Sequence, residues 1–144
     1  MFSKPSLLTR ITVAKFAGFI LGMIGFFAAP AFGIVDMKLR VGILFWYTAI
    51  GAFIGMAGVF TWHPILKMKM PWWFMGPLIG VWMNLLLVLF AWDVLEPLMA
   101  GGDFWGMTSP WWGVVEGAIV GLFLGGLATL FGGEGPETVR AIEQ

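Results

Sequence analysis

Cysteine is absent from the 144-residue sequence, and histidine occurs once. Without thiols there are no disulfides, no thiolate metal sites and no cysteine nucleophile. With His63 as the single imidazole, bis-histidine haem ligation within one copy is excluded too. Charge is the next scarcity: 11% of residues are charged, where an ordinary soluble domain carries about 25%. Eight basic and eight acidic residues cancel, which leaves no basic face for nucleic acid and no polybasic lipid-binding tail. Also missing are a phosphate-binding G-x-x-x-x-G-K-[ST] loop, an H-E-x-x-H helix and any nucleophile–base–acid set. These gaps predict a chain that is not an enzyme and that holds no cofactor or metal of its own.

What is plentiful is apolar surface. Hydrophobic residues make up 60% of the chain, too many for a protein of this size to bury in its own interior, so lipid must cover the remainder. A helix of about 20 apolar residues crosses the hydrocarbon layer. Four segments qualify: 16–35, 41–62, 72–92 and 111–132. The expected fold class is therefore all-α, a polytopic four-transmembrane-helix bundle over residues 16–132. Residues 1–15, with Leu7, Leu8, Ile11 and Val13 among basic residues, read as an interfacial N-terminal segment. Residues 133–144 read as a polar tail that is either a short helix opened by Pro136 or disordered. The run before "AAPA" also resembles a secretory leader cleaved after Ala31. It continues apolar through Val35, however, long enough to span, and is read as the first span.

Basic residues set orientation, because short loops rich in Lys and Arg stay on the cytoplasmic side. Lys4, Arg10, Lys15, Lys67, Lys69 and Arg140 fall on one side, and Lys38 and Arg40 on the other. This predicts both termini in the cytoplasm and the body in a bacterial-type inner membrane. The acidic residues Asp36, Asp93, Glu96 and Asp103 then gather outside.

Glycine recurs at four-residue spacing in every span: Gly18 and Gly22, Gly51 and Gly55, Gly76 and Gly80, then Gly113, Gly117, Gly121 and Gly125. Residues four apart share a helix face, so each set forms a smooth groove for close helix contact, the main source of helix association in lipid. The fourth stripe is long enough to suggest a second contact, with another copy or another protein. Pro30 and Pro77 are expected to kink their helices.

Polar residues within the spans are few. Glu116 lies about 7 Å inside the Trp111–Trp112 pair at 1.5 Å per residue, on the flank of the glycine stripe. An ionisable group at that depth is a functional candidate by default: an ion or proton site, or a contact with a partner subunit. The structural alternative is a pairing with Lys38 or Arg40. Asn84, Tyr47 and Thr48 are expected to hydrogen-bond between helices. Asp93 and Glu96 sit three apart at the end of the third span. With Asp103 and Glu116 they make either a solvated acidic rim or an oxygen-rich cup for a hard cation. His63, Met68, Met70 and Met75 carry copper-type ligands, but Lys67 and Lys69 alternate with the methionines and repel a cation. No copper site is expected.

Two functions remain. The first is a non-catalytic accessory or structural subunit packed among lipids and other membrane subunits. The second is a small homo-oligomeric ion channel or ion-coupled transporter that uses Glu116, with Asn84 on the path.

Overall fold

The computed structural model describes residues 5–101 and 106–140. Lys4 and Asp103, and with Asp103 part of the expected acidic rim, lie outside them. The architecture is all-α, with four helices long and apolar enough to cross a membrane. They are α1 (Leu7–Ala28), α2 (Met37–Ala57), α3 (Trp72–Phe90) and, after the short α4 (Trp92–Gly101), α5 (Trp111–Gly132). A hairpin of two-residue strands, β1 (Trp62–His63) and β2 (Met68–Lys69), joins α2 to α3. A final turn, α6 (Glu137–Arg140), closes the described chain. The protein is an integral membrane protein built as a helix bundle.

Several boundaries differ from the sequence reading, each for a local reason. Residues 7–15 do not form a separate interfacial helix. Ser6 caps the first turn by accepting from the Thr9 N–H, and the helix runs unbroken from there into the span. Pro30 does not kink α1, because the helix has already ended at Ala28. Pro30 instead opens a 3-10 turn, Ala29–Phe32, which Gly33 terminates at φ 82, a left-handed value that glycine adopts without strain. The second span does not begin at Val41: the Asp36 carboxylate accepts from the Lys38 N–H at 2.7 Å and starts α2 at Met37. The third span stops at Phe90, and the connection to the fourth contains α4.

The spans pack as two intimate antiparallel pairs, α1 with α2 and α3 with α5, and the pairs meet chiefly through α1 and α5. Glycine decides both seams. A Cβ on Gly22 would come within 2.6 Å of the Leu44 carbonyl oxygen, and one on Gly55 within 2.7 Å of the Ile11 Cα. Gly18 and Gly51 continue this seam, lying against the backbones of Tyr47 and Ala14. Across the other, Gly76 meets the Gly121 carbonyl and Gly80 meets the Gly117 carbonyl, while Gly125 faces the Trp72 backbone. Gly113 is looser, with Val88 at 3.4 Å from its would-be Cβ. The α5 stripe is thus taken up by α3 within the same chain, and the second contact expected for it is not needed. Between the pairs lies a small core of Ile50, Ile54, Val120 and Leu124.

At positions such as Gly80 a methyl group has only backbone to push against, and overpacking of that kind costs about 1–3 kcal/mol. Gly80→Ala should therefore lower the thermal unfolding temperature in detergent, and Gly121→Leu should prevent the fold from forming. Gly42→Ala in α2, where a Cβ meets nothing within 4 Å, should be neutral or stabilising, in line with the better helix propensity of alanine. Circular dichroism melts of the three variants check this, and equal behaviour of Gly80→Ala and Gly42→Ala would contradict the seam.

Candidate functional site

Polar side chains within the spans collect at two levels. One lies toward the end where α2 and α5 begin. There Asn84, buried on α3, accepts from the Trp46 indole N–H at 3.0 Å and donates to the Gly113 carbonyl at 2.8 Å. The amide thus joins α2, α3 and α5 at one point. Thr48 turns its hydroxyl back to the Leu44 carbonyl of its own helix, at 2.7 Å. Beside this cluster, the Tyr47 hydroxyl donates to the Glu116 carboxylate and bridges α2 to α5. Unlike Asn84, Glu116 is exposed on the outside of the bundle. It shares its face with the exposed Trp112, Val115 and Ile119.

Neither Lys38 nor Arg40 is the partner that Glu116 hydrogen-bonds. Arg40 is engaged elsewhere: its Nε donates to the Phe26 carbonyl at 2.9 Å, and its guanidinium carbon stands 4.3 Å from the Phe26 ring centroid. The acidic cup does not form among the described residues. Asp93 and Glu96 are carried away on α4, where the Glu96 carboxylate accepts from the Trp92 indole at 3.0 Å. No group of three His, Asp or Glu among the described residues is placed to hold a metal.

The second level, at the opposite end, has the densest network, and the sequence reading passed over it. Arg10 is 1% exposed. Its Nε donates to the Gly55 carbonyl at 3.2 Å, and its Nη1 donates to the Thr129 hydroxyl at 3.0 Å and to the Gly133 carbonyl. Gly55 and Thr129 lie in the last turns of α2 and α5, and Gly133 follows the end of α5. The unpaired carbonyls at a helix C-terminus carry partial negative charge, so a cation between two such ends is well placed. The guanidinium rests directly against Gly58, where any side chain would overlap it.

The tail completes this end. The Glu134 carboxylate accepts from the Trp72 N–H at 3.0 Å and so supplies the cap that Pro71 cannot give to the start of α3. Ser6 N–H donates to the Gly132 carbonyl and Gly135 N–H to the Gly58 carbonyl, each at 2.9 Å. Thr138 is fully buried and donates to the Gly135 carbonyl at 2.7 Å. Residues 133–140 are therefore a docked lid of backbone contacts. Arg10 and Glu134 line a cavity of about 10 Å³, near the volume a single water needs. One sequence signal for Arg10 exists: Arg10, Ala14, Gly18 and Gly22 are the buried residues of α1 and stand four apart, so the arginine continues the small-residue stripe.

The Arg10 knot is neutral in chemistry and structural in effect. It offers no nucleophile, and its Nε and Nη1 donors are spent on protein oxygens. Among the described residues, Glu116 is the acidic group exposed within the spans, held by Tyr47, and Lys15 on α1 is exposed as well. Searches against protein-family models, curated proteins and solved structures find no match to the chain.

Hydrogen bonds to a charged group contribute about 1.5–3 kcal/mol each, and a buried polar group left without its partner costs more than the bond was worth. Arg10→Gln should accordingly destabilise the bundle by at least ~3 kcal/mol. Arg10→Lys should not rescue it, because the three oxygens are served from two nitrogens of a planar fork, and the donors of an ammonium all radiate from one nitrogen. Arg40→Lys should change stability little. Tryptophan fluorescence during SDS titration reports all three, and an Arg10→Lys protein as stable as the parent would sink this account.

Proposed function

We propose that the chain is a non-catalytic accessory subunit that packs into a larger membrane complex, and that Glu116 with Tyr47 is its intramembrane contact. The observation that carries this reading is the outward position of Glu116. Arg10 and Asn84, the buried charged and amide groups of the spans, close on other side chains or on backbone inside the bundle. Lys15 is an exposed cation on α1, and Glu116, the acidic residue within the spans, has one bond, to Tyr47, and otherwise faces outward. A carboxyl group directed at lipid is costly, and a neighbouring subunit that offers a donor or a cation removes the cost. Between the spans, the cavity beside Arg10 is about 10 Å³, far below the roughly 300 Å³ at which small-molecule sites begin. A hollow of about 360 Å³ lies outside the spans, between the hairpin residues Thr61, Trp62 and Lys69 and the tail residues Glu134–Glu137.

The proposed setting is a bacterial inner membrane with both termini cytoplasmic. The end that carries the termini also holds Arg10, Lys67, Lys69 and Arg140, while the opposite end holds Lys38 and Arg40, the asymmetry expected of that orientation.

A second reading is favoured by the same residue. If Glu116 faces a second copy of this chain, a path for an ion or proton would lie between protomers and not within one, making the protein a homo-oligomeric channel or ion-coupled transporter. Extraction in mild detergent followed by native mass measurement separates the two. The accessory reading expects different polypeptides in fixed stoichiometry. It also expects Glu116→Leu to release them while the melting temperature of the isolated chain stays within a few degrees of the parent. A homo-oligomer whose ion flux in vesicles is abolished by Glu116→Gln would replace the first reading with the second.

A further inference from the structure

The hairpin between α2 and α3 carries a feature that neither reading uses. Its tip, Pro64–Lys67, holds two aliphatic side chains away from the protein: Ile65 is 83% exposed and Leu66 63%. The presentation is built in. The Leu66 N–H donates to His63 Nδ1 at 3.1 Å, which closes the turn with a side chain. Lys67 takes φ 49, a left-handed value uncommon outside glycine. Below the tip, Trp62 pairs with Lys69 and His63 with Met68, and the Met70 N–H donates to the Thr61 carbonyl at 2.9 Å. The turn is therefore a small fixed scaffold with an aliphatic point.

The chemistry around that point selects an occupant. From Gly58 to Pro71 the chain has two lysines, Lys67 and Lys69, and no acidic residue. The spans on either side of it end at Ala57 and begin at Trp72. The arms are six residues (58–63) and four residues (68–71) long, and the shorter one, at about 3.3 Å per residue, keeps the base of the tip within roughly 13 Å of the start of α3. Phe60, Trp62 and Trp73 are exposed on this stretch and at the start of α3, the aromatic signature of headgroup depth. Aliphatic side chains next to lysines, at that depth and on that tether, match a layer of anionic phospholipid, in which acyl chains take the apolar tip and phosphates take the ammonium groups.

We infer that the Pro64–Lys67 tip of the hairpin inserts into the headgroup layer of the adjacent leaflet and is held there by Lys67 and Lys69 on anionic phospholipid. The contact does not depend on which compartment the termini face, nor on which reading of the function holds. Each lysine close to an anionic surface favours the bound state roughly five-fold, so the pair gives on the order of 25-fold.

The cysteine-free sequence makes the test clean. A single Ile65→Cys variant of the full chain, carrying a small environment-sensitive fluorophore, is placed in nanodiscs of phosphatidylcholine with or without phosphatidylglycerol. Ile119→Cys, on the outward face of α5, gives the lipid reference, and the same fluorophore on free cysteine in buffer gives the water reference. The expected result is quenching of the label at 65 by headgroup-region nitroxide lipid, and shielding from aqueous iodide, in the anionic discs. Reversal of Lys67 and Lys69 to Glu in the same labelled background should abolish both effects, although the fluorophore itself is unchanged. A label at 65 as open to iodide as the free conjugate overturns the insertion. Quenching that is indifferent to phosphatidylglycerol and to the two lysines overturns the role given to anionic lipid.

Discussion

A guanidinium group that leaves water must be surrounded by oxygen, and the fold is arranged so that the oxygen around Arg10 comes from helix ends. Even in the first turn of a membrane helix, an arginine that is buried must find acceptors or carry the cost of an unpaired charge. Here that cost is met by carbonyls that would otherwise also lack partners: Gly55 in the last turn of α2 and Gly133 beyond α5, with the Thr129 hydroxyl between them. Two deficits cancel in one place. The same end uses the opposite sign for the opposite terminus, with the Glu134 carboxylate capping the exposed N–H of Trp72 at the start of α3. Termini that seem incidental in the sequence thereby fix where four helix ends meet.

The glycine seams and the arginine are complementary devices. Glycine lets α1 approach α2, and α3 approach α5, until backbone touches backbone, but close approach alone leaves two pairs free to slide past each other. Arg10 extends from α1 to both α2 and α5 and so locks one pair to the other. At the opposite level Asn84 does the same for α2, α3 and α5. Hydrophobic matching contributes less to this register than it does in a water-soluble bundle, since lipid is as good a solvent for Leu124 as another leucine.

Much of the architecture was legible in the sequence. The four spans, their all-helical class and the limits of α5 follow from runs of apolar residues whose length the bilayer dictates. The ends of α1, α2 and α3 were less legible, because capping by Ser6, Asp36 and Glu134 depends on side chains that composition treats as loop. The partner of Glu116 was not legible: Tyr47 is 69 residues away in sequence, and nothing in either helix alone announces their meeting. Arg10 was only half read, because a basic residue ahead of an apolar run serves as an orientation signal and nothing in that role points to packing. Only its four-residue phase with Ala14, Gly18 and Gly22 distinguishes a buried position from a surface one. The tail was undervalued for a related reason. Glycines and polar residues suggest a free end, yet Gly133 and Gly135 are used for their backbone groups and not for their flexibility.

The reach of Arg10 across the chain bears on how the protein is made. Arg10 is translated with α1, while two of its three acceptors, Thr129 and Gly133, follow some 120 residues later. Until α5 follows, the guanidinium lacks both of them, and burial of a cation without its acceptors is costly. A chain stopped before α5 would keep that cation without its main partners. The arrival of α5 is therefore chemically sensed by α1.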